Sequence, residues 1–162
     1  MSSVTYKLWD IAGVDGLAVA QALFGEAVGY LAPFQSLETR VAGQNCSVLR
    51  LCDRNFRIAY PGPLDSLVAP LQADVWVRAY DWLSVVAIAP HQLPQLTAQA
   101  TVRPPHRLQN LPNHQAVPAQ VADIAIIIWR HAPSGVPVVD LHLARTDVER
   151  LIKKVGLKAA LA

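Results

Sequence analysis

The sequence predicts an α+β protein, and three observations carry that expectation. Short runs rich in β-branched and aromatic residues alternate apolar with polar side chains. One long apolar stretch near the start, residues 16–31, has helical rather than strand period. The chain finishes on two apolar runs followed by an amphipathic helix pattern. At 162 residues it is expected to form a single domain over 1–162. A subdivision follows composition: an α+β core over 1–90, a Pro-rich basic connection over 91–120, and a strand–strand–helix finish over 121–162.

Taken in order, "SVTYKLW" (residues 3–9) reads as a first strand, and "GVDG" breaks it. Asp15 is placed to cap the helix that follows, "GLAVAQALFGEAVGYL". Leu17, Ala20, Phe24 and Leu31 share one of its faces, while Gln21 and Glu26 are almost alone on the other. Such a helix is either a central core helix or one buried at a subunit interface. Pro33 limits its continuation. "CSVLRLCDRNFRIAY" reads as a hairpin turned by "DRN", and "PGP" ends it. "PLDSLVAPLQ" suits a short helix, and "ADVWVRAY" and "WLSVVAIAP" suit strands. The resulting order, strand–helix–strand–strand–helix–strand, is that of a ferredoxin-like βαββαβ unit.

Six prolines punctuate residues 90–120, where "LTAQATVR" alone suits a strand or short helix. "VADIAIIIWRH" then reads as a strand buried on both faces, "APSG" as a turn and "VPVVDLHLA" as a returning strand. Thr146 and Glu149 have capping-box spacing ahead of a helix whose apolar stripe is Val148, Leu151, Ile152 and Val155. Its opposite stripe carries Arg150, Lys153 and Lys154, with Lys158 the least secure member because Gly156 can end the helix. No internal repeat is visible in the sequence.

Composition narrows function. Hydrophobic residues make up 52% and charged residues 16% of the chain, and the latter is well under the usual quarter. An ordered chain with so little charge is expected to cover apolar surface with a partner, as a subunit or a homo-oligomer. No stretch approaches the roughly 18 apolar residues of a membrane span, and the first ten residues lack a signal-peptide pattern. A cytoplasmic location is expected, with Cys46 and Cys52 reduced. No cofactor or metal is expected. No P-loop, G-x-G-x-x-G, G-x-S-x-G or H-E-x-x-H pattern occurs, and the cysteines lack zinc-site spacing.

Charge placement says more than the net +2. From Trp82 to Ala122 there is no Asp or Glu, yet Arg103, Arg107, His91, His106 and His114 lie inside that window. Arg103 and Arg107 are the leading binding candidates, on a proline-stiffened arm that can meet an anionic surface at low ordering cost. The C-terminal cations Arg150, Lys153 and Lys154 form a second candidate surface. Arg50 and Arg57, in the hairpin, form a third, with Arg78 on a later strand. Trp76, Tyr80, Phe56 and Tyr60 could stack bases beside them if that sheet face held single-stranded RNA. No RNA-recognition signature accompanies them. Asp140 and His142 share a strand face, an arrangement open to acid–base work or to a structural polar pair.

Two functions follow. The first is a non-catalytic subunit or adaptor that binds a protein partner through the basic Pro-rich segment, with nucleic acid a further component of the same assembly. The second is a small metal-independent enzyme acting on an anionic substrate such as RNA, with His106 or His114 as base beside Arg103 or Arg107.

Overall fold

A computed structural model describes residues 6–158 and the backbone of 160–161. The described chain is mixed α+β, with two antiparallel sheets and few, short helices. It divides into two compact units, with the boundary between Tyr80 and Asp81.

The unit up to Tyr80 contains β1 (Lys7–Ala12), α1 (Gly16–Phe24), β2 (Ser36–Val41), β3 (Gln44–Cys52), β4 (Asn55–Tyr60), α2 (Leu64–Val68) and β5 (Trp76–Ala79). Its five strands lie in the order β2-β3-β4-β1-β5, each antiparallel to its neighbours. The hairpin read from "CSVLRLCDRNFRIAY" is β3–β4, with Val48 opposite Ile58. Alternation puts Trp9, Ile11, Val48, Phe56, Ile58 and Tyr60 on one sheet face, where they pack with Val19, Ala20 and Phe24 of α1 and Leu64 and Val68 of α2.

The long helix expected over 16–31 is shorter than the apolar pattern. Gly25 adopts φ 101° and ends it, and Glu26–Tyr30 continues as a 3-10 turn. The positions facing solvent, Ala18 and Ala22, are small. The helix is therefore apolar all round in sequence while burying a single face. Asp15 does not cap it; its carboxylate accepts the Asp74 N–H (2.8 Å) and ties the loop after β1 to the approach to β5. The ferredoxin-like order is not what the structure establishes. Ser36–Val41, a stretch without a strong alternating signal, adds a fifth strand, and a whole second sheet lies beyond.

The unit from Asp81 contains β6 (Leu83–Ile88), α3 (Leu93–Thr97), β7 (Ala100–Thr101), β8 (Gln115–Val121), β9 (Ile124–His131), β10 (Val138–Ala144), α4 (Val148–Val155) and β11 (Ala160–Leu161). The sheet order is β11-β6-β10-β9-β8-β7. Val86, Ile88, Ile126, Ile128, Leu141 and Leu143 form its apolar face, and Leu93, Leu96, Val148, Leu151 and Val155 cover it from the helices. The expected β9–β10 hairpin forms, with Leu141 opposite Ile128.

The Pro-rich stretch is far from being a bare connection. It holds α3, β7 and β8, and Pro118 lies within β8 opposite Ile127. Pro118 is tolerated because β7 pairs only with Gln120 and Val121, so the outer edge of β8 is open where the ring lacks its N–H. Thr146 sits in a 3-10 turn ahead of α4, and no side-chain cap forms there, so the capping box does not materialise. Gly156, at φ 72°, closes the helix and leaves Lys158 outside it.

The two units repeat one topology although their sequences show no repeat. In each, the first strand is followed by a helix, three antiparallel strands, a second helix and an edge strand. The order β2-β3-β4-β1-β5 matches β8-β9-β10-β6-β11, with β7 as the single addition.

Candidate functional site

The structure sorts the cationic candidates by whether their charge is already used. Arg50 is buried at the base of the β3–β4 turn. Its guanidinium donates to four carbonyls: Gly29 (3.1 Å), Leu31 (2.9 Å), Cys52 (3.2 Å) and Asp53 (2.9 Å). It also lies over the Phe56 ring at 5.6 Å. This fork of donors clamps the 3-10 turn after α1 to the hairpin, a structural use of a fixed cation.

Arg57 is also buried. It stacks on the Tyr80 ring at 4.8 Å and donates to the Tyr80 hydroxyl at 3.4 Å. Register sets Asp10 directly between two arginines, opposite Arg57 on β4 and Arg78 on β5. Burial pushes the Asp10 carboxyl up, against the opposing pull of Arg57 and Arg78 and the hydrogen bond from Tyr80. Arg57, Arg78 and Tyr80 were expected on one sheet face. Asp10 was missed because the alternating pattern was read as ending at Trp9. Phe56 and Tyr60, considered as base stackers, point instead into the core with 0% and 2% exposure.

On α4, Arg150 is exposed but engaged with Asp123 in the turn between β8 and β9 and with Asp147 (2.8 Å) one turn back. Lys153 and Lys154 are exposed and carry no ion pair among the described residues. Thr146, Glu149, Arg150, Ile152 and Lys153 line an open depression of about 620 Å³.

Arg103 and Arg107 lie on the loop between β7 and β8. Both are exposed, and among the described residues neither guanidinium has a hydrogen bond or ion pair. The loop around them is anchored. Leu108 and Leu111 are buried in the core and Val102 packs against it. The His106 N–H closes a turn on the Arg103 carbonyl (3.1 Å), and Arg130 donates to the Leu111 carbonyl (2.8 Å). His106 is half-buried within that turn. His114 is half-buried at the start of β8, with its N–H on the Arg130 carbonyl (2.7 Å) and its Nε2 3.4 Å from Asn113 Nδ2.

Asp140 bonds across the sheet rather than along its own strand. His131 Nε2 donates to Asp140 Oδ2 at 2.5 Å, and both side chains are fully buried. Trp129 stacks on His131 (centroids 3.8 Å, planes within 10°) and meets His142 edge-on at 5.7 Å. A pair with no solvent exposure offers no approach to a substrate, so its evident role is cross-strand packing. Cys46 is buried, its thiol pushed up to about 12 chiefly by burial and further by Glu38. Cys52 is exposed, and both are free thiols. Among the described residues no cluster of three or more His, Cys, Asp or Glu could hold a metal ion, and no helix is long and apolar enough to cross a membrane.

No protein-family model matches the sequence, and no curated protein matches it. Solved structures do. The chain is similar to glycine cleavage system aminomethyltransferase T from Bartonella henselae, with TM-score 0.70 and 19% identity, over 94% of this chain and 43% of that one. It is also similar to a chain of heterotetrameric sarcosine oxidase from Corynebacterium sp. U-96 in complex with pyrrole 2-carboxylate. There the TM-score is 0.63 and the identity 16%, over 95% of this chain and 78% of that one. The chain thus spans less than half of the aminomethyltransferase. At these identities the likeness is one of fold.

Proposed function

We propose that this chain is a non-catalytic subunit or adaptor of a larger assembly, docking a protein partner through the loop that carries Arg103 and Arg107. The observation that carries this reading is the contrast among the cations. Arg50, Arg57 and Arg150 already have partners within the fold, whereas Arg103 and Arg107 stand exposed and uncommitted on an anchored loop. A loop pinned by Leu108 and Leu111 loses little freedom when a partner binds. With no carboxylate from Trp82 to Ala122, nothing on that stretch repels an acidic surface.

Two further points support a protein partner. No Phe, Trp or Tyr occurs between Trp82 and Trp129, so the loop offers no ring on which bases could stack. Nucleic acid would then enter only as another component of the assembly. The heterotetrameric organisation named for the sarcosine oxidase, one of whose chains this fold resembles over most of its length, supports a role as one subunit among several.

The test is co-expression with the products of the neighbouring genes, followed by co-purification at several salt concentrations. Arg103→Ala/Arg107→Ala is expected to weaken retention about tenfold, the scale for losing an interface arginine, and to flatten its salt dependence. Unchanged retention and salt dependence would rule this docking loop out.

A further inference from the structure

β5 is an edge strand, and its backbone has a readable phase. The Tyr80 N–H donates to the Leu8 carbonyl at 2.9 Å. In the same register Arg78 lies opposite Asp10, and Trp76 opposite Ala12. Hydrogen-bonded pairs alternate along an antiparallel ladder, so residues 76, 78 and 80 turn their N–H and C=O groups toward β1. Val77 and Ala79 turn theirs outward, away from the sheet. Trp76, at 70% exposure, stands at the start of this edge, and Arg78 and Ala79 are exposed as well.

We infer that two copies of the chain pair antiparallel through β5, about a two-fold axis at Val77. In that register the two Val77 residues exchange both of their outward backbone hydrogen bonds. Each Ala79 N–H also reaches the Val75 carbonyl of the second copy. The Val75 N–H does not join the ladder, because it is held by the Ala73 carbonyl at 3.0 Å.

The side chains match as well. Trp76 of each copy falls directly opposite Arg78 of the other, with Cβ atoms about 4.5–5.5 Å apart. Both lie on the same sheet face, so each guanidinium can meet the opposing indole as a cation–π pair. Because the contact is isologous, this favourable pairing occurs twice. No like charges oppose one another, and Asp10 beside each Arg78 offsets the cation that would otherwise blunt the edge. The contact uses no residue of the loop that carries Arg103 and Arg107 and does not rest on the docking reading.

The experiment is sedimentation velocity of the full chain over about 1–100 µM. A concentration-dependent monomer–dimer equilibrium is expected. Val77→Pro removes an N–H that faces away from β1 and leaves the β1–β5 ladder intact. Trp76→Ala removes an exposed side chain. Each is expected to weaken the dimer by at least roughly tenfold, with an unchanged circular dichroism spectrum, while Arg103→Ala/Arg107→Ala keeps the wild-type equilibrium. If Val77→Pro does not fold, Trp76→Ala decides the matter. A monomer at every concentration would overturn the proposal, as would a dimer indifferent to the β5 variants. So would protection of the Val77 and Ala79 amides from exchange only when a different protein is added.

Discussion

At Gly16 a Cβ would stand 2.1 Å from the Arg54 carbonyl oxygen and 3.0 Å from its carbon. The obstacle is backbone in the β3–β4 turn, so nothing nearby can swing aside. Gly16→Ala is therefore expected to destabilise the protein by about 1–3 kcal/mol, the range for forcing atoms into a filled site. Gly29 is the built-in comparison: its added Cβ would meet only the Gln21 side chain, at 2.6 Å, and a flexible amide can move. Gly29→Ala should change stability by less than about 0.5 kcal/mol, the scale of a benign substitution. Urea unfolding of the two variants measures both, and equal effects would refute the contact at Gly16. The same residue logic separates the arginines. Sequence alone offered Arg50 and Arg57 as a further binding surface beside Arg103 and Arg107, because a guanidinium reads identically whether it holds carbonyls or faces water. Only the neighbours distinguish them.

Among the elements, the β9–β10 hairpin shows how far pattern reading reaches. The period-2 rule put Asp140 and His142 on one strand face. The hydrogen-bond partner His131 depends on register, which is set by the turn over 132–137, where Ser134 (φ 59°) and Gly135 (φ 78°) are left-handed. Asp140→Ala removes the carboxylate that His131 Nε2 meets at 2.5 Å and is expected to cost about 1–3 kcal/mol, the scale of a lost buried hydrogen bond. Thermal and denaturant unfolding would measure this, and a cost under about 1 kcal/mol, the surface-pair scale, would mean the contact contributes little. Alternation made β3 and β4 legible, and β9 and β10 were legible as apolar runs. β2 was not, since "SLETRV" lacks a clean apolar face, and β8 was masked by Pro118, whose tolerance depends on an open neighbouring edge. α1 was over-extended because an apolar run cannot reveal that Gly25 takes a positive φ. The docking candidates were legible as an acid-free window, whereas the Asp10–Arg57–Arg78 row needed the strand register to appear.

For the molecule as a whole, topology repeats where sequence does not, because a fold constrains which faces are apolar far more than which residues make them so. Each unit closes an apolar core of its own. Ile58 is fully buried in the core of the unit up to Tyr80, and Ile128 in that of the unit from Asp81, and no residue belongs to both clusters. Separate cores predict separable local stabilities. Ile58→Ala and Ile128→Ala should each cost about 2–5 kcal/mol through the cavity they leave. Hydrogen exchange read by mass spectrometry locates that cost along the chain. Ile58→Ala should speed exchange in peptides before residue 81 and leave β9 and β10 near wild type, and Ile128→Ala should do the reverse. Equal acceleration on both sides of the Tyr80–Asp81 boundary would instead mean that the chain opens as one cooperative body, with the two cores failing together.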